Sequence, residues 1–293
     1  DMPGALIEVG FHDNKYDAEF IKRPHFRETV ARAIARAALD YFVGTAATLY
    51  PLPVSNLRIE PTGTNQFKAT WAPTADTLNS GTDATSYRIY LTTYGATTDN
   101  TVTTQSGTSF TFSAVPGVRY VLRVAAVNAG GESFISEPMV ARLSTRGKVD
   151  LLLVNGFDRL DKSVQEEDNT GTYAIRHAQA IEAGGDYGYV TASNEAVEAN
   201  QMSLADYRAI DWIAGEEARI GSEPDDNLAL RPNDRSKLGA YLANGGRLLL
   251  TGSEIAWDAD AATDTVYMGF LNNTLKATYV GDDANEYAFS GTS

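Results

Sequence analysis

Cysteine is absent from the 293 residues, which excludes disulfides, thiol nucleophiles and cysteine-held metals. Histidine is scarce: His12, His25 and His177 are the only three, and their spacing fits no zinc site. There is no apolar run of 18 or more residues, so no transmembrane helix is expected. No serine sits in a G-x-S-x-G elbow, which removes that route to covalent catalysis. Basic charge is in deficit, and the deficit is uneven. Residues 1–147 hold 13 basic and 13 acidic side chains, whereas residues 148–293 hold 11 and 25, which accounts for the whole net charge of −14. An acidic surface repels phosphate backbones and anionic lipid, so neither nucleic acid nor a membrane is an expected partner. Solubility is the ordinary reason for such an excess. Calcium at Asp225 and Asp226, or at Asp258 and Asp260, is the sharper one, but no calcium-loop spacing supports it.

What the chain does have begins with Pro3–Asn14, PGALIEVGFHDN. Leu6, Ile7 and Val9 read as a short buried strand around one acid, Glu8. Burying a carboxylate costs several kcal/mol unless it is paired, hydrogen-bonded or metal-bound. Gly10 and Phe11 make a turn, and Asn14 caps a helix with Asp17 in the capping-box position. That helix stops near Arg23-Pro24. A second is predicted from about His25 to Phe42, with Phe26, Val30, Ile34 and Tyr41 on one apolar stripe and Arg27, Arg32, Arg36 and Asp40 mostly opposite.

These 42 or so residues resemble the C-terminal end of the zinc-dependent N-acetylmuramoyl-L-alanine amidases of the amidase-3 family. Pro3, Leu6, Glu8, Gly10, Phe11 and Asn14, then Asp17, Ala18, Pro24, Phe26 and Arg27, stand where that pattern places them. The resemblance implies an α/β amidase tail of one strand and two helices, with Glu8 as the catalytic acid/base beside zinc. It also implies that the zinc ligands, two His and a Glu, lie upstream of the matched region, so this chain alone is expected to be inactive. Without the resemblance, a lone Glu at a strand end is ordinarily a solvated or salt-bridged group.

Thr45 to Pro53, after Gly44, reads as a linker. Residues 54–145 then alternate in the manner of strands: Phe67, Ala69 and Trp71, then Tyr87, Ile89 and Leu91, then Tyr120, Leu122, Val124 and Ala126. Asn79-Ser80-Gly81, Tyr94-Gly95 and Pro116-Gly117 separate them. Several short strands in about 90 residues point to an all-β sandwich. Trp71 on the second strand, Tyr87 on the third, and Val115-Pro116-Gly117 leading to Tyr120 resemble a fibronectin type III domain with its tyrosine corner. That resemblance implies a spacer and brings no chemistry. Tyr90 and Tyr94 could touch glycan, though packing is the ordinary role of strand aromatics.

From Lys148 the pattern changes. Val149–Val154 is a continuous apolar run, as in a parallel strand covered on both faces. A helix at 172–183, a strand at 187–191, a strand at 207–214, a helix at 233–244 and a strand at 247–251 follow. Alternating strands and helices predict an α/β doubly wound parallel sheet over 146–293, with a further helix within 266–279. The stretch YLANGGRLLLTGSE resembles the class I glutamine-amidotransferase-like, flavodoxin-type domains. Ligands of such sheets gather at the carboxyl ends of the strands. Those ends point to Asn155 and Asp158, to Glu216 and Glu217, and to Ser253 and Glu254 as candidate binding residues. The turn where that family carries its nucleophilic Cys, near Gly215–Glu217, has none. Glu217 with Glu254 could form an acid/base pair, although acids are common in strand-end loops. His177 is read as a surface or packing residue.

The multidomain chain is therefore expected to be the middle of a longer secreted or periplasmic cell-envelope protein. The first reading is a segment of a peptidoglycan hydrolase that cleaves the muramic acid–L-alanine amide, with zinc held outside this chain. The second is a non-catalytic envelope protein that binds glycan or protein through a sandwich spacer and an acidic domain. A hydrolase acting through the last domain is the weakest.

Overall fold

A computed structural model describes residues 4, 6–22, 24–44, 47–93, 101–157, 172–219, 228–261 and 263–281. Two helices come first, α1 (Lys15–Lys22) and α2 (Pro24–Phe42). The Asn14 side chain caps α1 by accepting from the Tyr16 N–H at 3.0 Å. Asp17 does not reach back to Asn14; its carboxylate accepts from the Phe11 N–H at 3.0 Å and closes the loop before the helix. The strand expected at Leu6–Val9 is not formed. These residues run irregularly, Glu8 is exposed, and Leu6 is 86% exposed. A strand is stabilised by sharing its backbone hydrogen bonds with a neighbour, and no strand pairs with this stretch among the described residues.

The helix α2 also sits differently from its apolar pattern. Arg32 is buried against the protein, and the later part of the helix's apolar stripe faces water: Ile34 and Tyr41, with Phe42, are exposed while Phe26 and Val30 are half-buried. Arg32 ends 2.7 Å from the Asp76 carboxylate, donates to the Tyr50 carbonyl at 3.1 Å, and lies over the Tyr50 ring. Arg36 donates to the Ala47 carbonyl at 2.6 Å and pairs with Asp40. Residues 47–53, expected as a linker, lie against the following strands: Leu49 is buried, and the Asn128 amide donates to its carbonyl at 2.9 Å.

Eight strands follow: β1 (Ser55–Pro61), β2 (Gln66–Ala72), β3 (Ser86–Thr93), β4 (Thr101–Gln105), β5 (Ser109–Ser113), β6 (Arg119–Asn128), the two-residue β7 (Gly131–Glu132) and β8 (Met139–Arg142). One sheet is β1-β2-β5 and the other β4-β3-β6-β8, all antiparallel. Their inner faces share a core in which Trp71 meets Tyr87 edge-on at 5.4 Å and Phe112 lies 5.5 Å from Tyr120. The Tyr120 hydroxyl accepts from the Val115 N–H at 2.9 Å, the corner anticipated from Val115-Pro116-Gly117.

Then come β9 (Leu151–Asn155), α3 (Tyr173–Gly184), β10 (Tyr189–Ser193), α4 (Asn194–Glu198), β11 (Ala209–Gly215), α5 (Pro232–Ala243), β12 (Leu248–Gly252), α6 (Ile255–Ala261) and α7 (Thr265–Gly269). The four strands are parallel, in the order β10-β9-β11-β12. Ala174 and Ala178 of α3 pack on Leu153, Tyr189 and Ile213 at one face; Leu238 and Tyr241 of α5 share the core on the other with Leu152, Val154 and Trp212. Asp234, not Asn233, caps α5, accepting from the Arg231 N–H at 3.0 Å with Pro232 opening the helix. The C-terminal helix is α7 followed by a wider turn at Phe270–Thr274.

The two sheet systems are not separate bodies on a tether. Strand β10 bridges to β8 (Tyr189 opposite Arg142) and to β1 (Arg58 opposite Ala192), so it closes the side of the sandwich where its first and last strands lie. The Thr191 hydroxyl donates to the Val140 carbonyl at 2.8 Å and accepts the Val140 N–H at 3.1 Å. Arg142 donates to the Tyr187 carbonyl at 2.5 Å and pairs with Asp186 at 3.2 Å. On the sandwich's outer face, Val121 and Val140 join the α3 cluster, which explains why nearly every residue of β6 is buried. Gly188 is required at this seam: a Cβ there would stand 1.8 Å from the Lys148 carbonyl oxygen.

Candidate ligand-binding site at the seam

The carboxyl ends of the parallel strands are where a ligand is expected, first of all at the crevice where strand order reverses. Here β9 sends its chain to β10 on one side, and β11 lies on the other. Among the described residues that crevice holds the Phe157 ring. Gly215 ends β11 at φ +54, and its Cβ position would lie 2.5 Å from that ring. Phe157 is itself buried, edge-on to Tyr173 at 5.1 Å.

The open space lies one strand over. A cavity of about 690 Å³ sits between the ends of β9 and β10, the sandwich and α2. Asn155 and Ser193 bring the two strand ends, and Glu195 comes from the first turn of α4. The segment 134–139 supplies Phe134, Ile135, Glu137 and Met139 from the sandwich. Leu57 of β1 and Ala31 of α2 complete opposite walls. The volume falls in the range of small-molecule sites, and the pattern of apolar walls with a few polar groups is theirs too. A second cleft, about 500 Å³, lies by Tyr207, Arg208 and Gly246 at the amino ends of the strands, away from the strand-end residues.

Glu137 is the chemical centre of the larger cavity. The Asn155 amide donates to its carboxylate across the seam. Burial pushes the Glu137 carboxyl up to about 7, against the pull of the Asn155 hydrogen bond and of Arg123, and Glu195 adds to the rise. Arg123, on β6, is itself lowered by burial despite the charge of Glu137. Nearby, Arg231 is shared by Glu195 at 3.1 Å and Glu198 at 3.4 Å. Asp234 beneath them is also pushed up to about 7, by burial first and then by Glu198. A carboxyl poised near neutrality can give or take a proton, or become the counter-ion of a bound cation.

Of the residues proposed from sequence, the structure brings only Asn155 into this cavity. Asp158 lies outside the described residues, as do Asp225, Asp226 and Tyr94. Glu216 is half-buried and Glu217 buried, in the turn after β11, where the Glu217 N–H donates to the Ala214 carbonyl at 2.9 Å. Ser253 is exposed; its N–H donates to the Gly215 carbonyl at 2.9 Å, which stitches this turn to the one after β12. Glu254 immediately precedes α6, its carbonyl accepting from the Asp258 N–H. Asp258 is fully buried and holds Arg219 at 3.1 Å and the Ala229 N–H at 3.0 Å. The Tyr90 hydroxyl is engaged by Glu132. His177 lies 2.8 Å from Asp211 of β11 and fastens α3 to the sheet. Sequence reasoning missed Glu137, Ser193 and Glu195. The rule that points to strand ends also points to Ser193 and Glu195, just beyond the strand read at 187–191. Nothing local marks Glu137.

The zinc implied for the amidase segment does not fit the residues present. No group of three or more His, Asp or Glu is placed to hold a metal among the described residues, and His12 is exposed in a loop. Glu8 stands outside the cavity.

Residues 52–142 match the family model for the fibronectin type III domain. The sandwich topology, the Tyr120 corner and this match agree on the same residues. This stretch is a fibronectin type III domain. Solved structures similar to part of the chain include a fourth FNIII domain from human, 19% identical, covering 32% of this chain and 78% of that one at a TM-score of 0.27. The FN5 domain of Drosophila Lar is 18% identical, with 32% and 96% covered and a TM-score of 0.25. A myokine structure is 15% identical, with 32% and 97% covered and a TM-score of 0.27. No curated protein matches the chain. The cavity thus lies at the border of the fibronectin type III domain, which supplies most of its wall, with the remainder from α2, Tyr50, Asn155, Ser193 and Glu195.

Proposed function

We propose that the fibronectin type III domain and the parallel-sheet unit act together as a binding module, with the seam cavity as its site. The observation that carries this reading is the Asn155–Glu137 hydrogen bond, which joins the end of a parallel strand to the fibronectin domain inside a cavity of ligand size. A spacer needs no shared site, whereas a binding module places its polar groups where two units meet. The finer reading of residues 146–293 is a doubly wound, flavodoxin-type domain of the glutamine-amidotransferase-like kind that lacks the nucleophile and binds. The test is amide shift mapping with a fragment collection. Hits should move Asn155, Ser193 and Ile135 together; hits that cluster only elsewhere would overturn the assignment.

A second reading is favoured by the loop before α1. Phe11, Asn14 and Asp17, which carry the amidase resemblance, are the residues that build this loop and leave Glu8 presented to solvent. In this reading the segment belongs to a zinc-dependent amidase acting on peptidoglycan in the cell envelope, secreted or periplasmic, with Glu8 as acid/base. The seam module would then serve that enzyme by binding envelope glycan or protein. The 293-residue chain by itself is expected to release no muropeptides. In a longer form that binds zinc, Glu8→Gln should lower release at least about a hundredfold; full activity in that variant would remove Glu8 from the chemistry.

A further inference from the structure

We infer that the seam cavity takes a ligand carrying a primary ammonium group on an apolar body, with Glu137 as the counter-ion of the ammonium. This rests on the reading of the cavity as a binding site and names the class of ligand it fits.

Two carboxylates line the cavity, Glu137 and Glu195. Of the cations near them, Arg231 is divided between Glu195 and Glu198, so that trio keeps a net negative charge. Arg27 and Arg32 of α2 are also on the wall; the Arg32 guanidinium is held by Asp76, the Tyr50 carbonyl and the Tyr50 ring, and Arg27 is engaged as well. Arg123 acts on Glu137 without a direct ion pair among the described residues. The unit on one side of the cavity also carries the entire acidic excess of the chain. Beside Glu137 and Glu195 an anionic ligand group would meet unfavourable potential, and a cationic one favourable potential.

Geometry then sets the kind of cation. Asn155 fixes Glu137 by donating to its carboxylate, so the ionised Glu137 takes donors from a ligand and not a second acceptor. A primary ammonium has three donors, which suits a cavity lined by the Glu137 carboxylate and by the Ser193 hydroxyl, whose oxygen also accepts from the Ala196 N–H. The wall also carries an apolar patch: Phe134 is 73% exposed and Ile135 40%, and Met139 and Leu57 line the same cavity, so the body of the ligand has surface to cover. A hydrated metal ion would leave that surface unused, and no group of metal ligands is present among the described residues.

Proton balance follows. Below neutrality Glu137 is protonated, because burial raises it to about 7. Binding of an ammonium then expels that proton to solvent and leaves carboxylate facing ammonium. The groups that face Glu137 are Asn155 from β9, Arg123 from β6 and Glu195 from α4, and only the last opposes its ionisation electrostatically. Affinity is therefore expected to rise with pH up to about 7 and then level.

The experiment titrates the whole chain with 2-phenylethylamine, 2-phenylethanol and 3-phenylpropanoate, which share an apolar body and differ in the head group. The Asn155 side-chain amide resonance is the readout. The amine should shift it and bind about tenfold more tightly at pH 8 than at pH 5.5. Glu137→Gln keeps the acceptor for Asn155 and should cost about tenfold in amine affinity while flattening the pH profile. A role of Glu137 in structure alone would leave that profile unchanged. Nα-acetyl-lysine methylamide tells the two sources of ammonium apart: binding as tight as the free amine assigns the ligand to a peptide side chain, and no binding assigns it to a free amine. If the alcohol or the carboxylate shifts Asn155 and the amine does not, the ligand class is wrong and the binding site stands. If none of the three shifts it, the site reading falls as well.

Discussion

Two attachments hold this molecule together, and they use opposite chemistry. The fibronectin type III domain joins the parallel sheet through a continuous apolar core, with Val121 and Val140 set among the residues of α3 and β9. The α2 helix joins the same domain through arginines, with Arg32 and Arg36 inward and Ile34, Tyr41 and Phe42 in water. Apolar burial is non-directional and accumulates with area, so the first joint resists any single polar substitution. A joint made from one buried ion pair depends on both partners, because removing one strands the other without water. The first should behave as one body, and the second as an appendage that comes off alone.

The largest effect is expected where the seam has no slack. In Gly188→Ala the new methyl would meet the Lys148 carbonyl oxygen and, at 2.8 Å, the Ser144 nitrogen, both main-chain atoms. Neither can move without opening the β8–β9 turn, in which the Ser144 N–H donates to the Lys148 carbonyl. We expect a loss of about 3 kcal/mol or more in urea unfolding, with the sandwich and the sheet losing it together. Separate losses would divide the body in two.

Next is the helix joint. Burial pushes Asp76 up, but hydrogen bonds from Arg32, Asn79 and the Leu78 and Asn79 N–H groups prevail and hold it below its ordinary value. A depressed carboxyl stabilises above its unfolded pKa and ceases to do so as pH falls through the lower folded one. Docking of α2 should therefore persist at neutral pH and fail in acid, below about pH 4. Arg32→Ala should release it at every pH, at a cost of about 3 kcal/mol, read as fast hydrogen exchange over 24–42 with the sheet amides unchanged.

Glu137 gives an effect of similar size and opposite sign. Its folded pKa is raised, so the stability it confers is full below its unfolded pKa and is lost as pH rises towards about 7. The chain should be more stable at pH 5 than at pH 8, by up to about 3 kcal/mol from this group. Glu137→Gln should remove that difference and raise the melting temperature at pH 8. The smallest effect belongs to Tyr41→Ser and Phe42→Ser, on the open stripe of α2: within about 0.5 kcal/mol, by the same unfolding measurement.

Much of this architecture is legible in the residues. Alternation around Trp71, Tyr87 and Tyr120 places the sandwich, because a half-buried strand repeats every second residue. The run Val149–Val154 announces a strand covered on both faces, and it is. The seam is not legible, because a shared edge depends on Thr191 meeting Val140 across 51 positions, and no local periodicity encodes such a meeting. The orientation of α2 fails for a related reason. Its stripe predicts apolar burial, but burial needs an apolar partner, and what lies beside it is Asp76 and two carbonyls. The site shows the same division. Asn155 stands at a strand end that the sequence reveals, while Glu137 reaches the cavity only because the fold delivers it there.

Native-state hydrogen exchange in a urea series tests the central claim most directly, comparing the amides of Leu122 in β6 and Val154 in β9. A single cooperative body predicts one opening free energy and one urea slope for both. A lower free energy and shallower slope for either amide would mean that the sheet and the fibronectin type III domain open separately, and a site built across their seam could not be preformed.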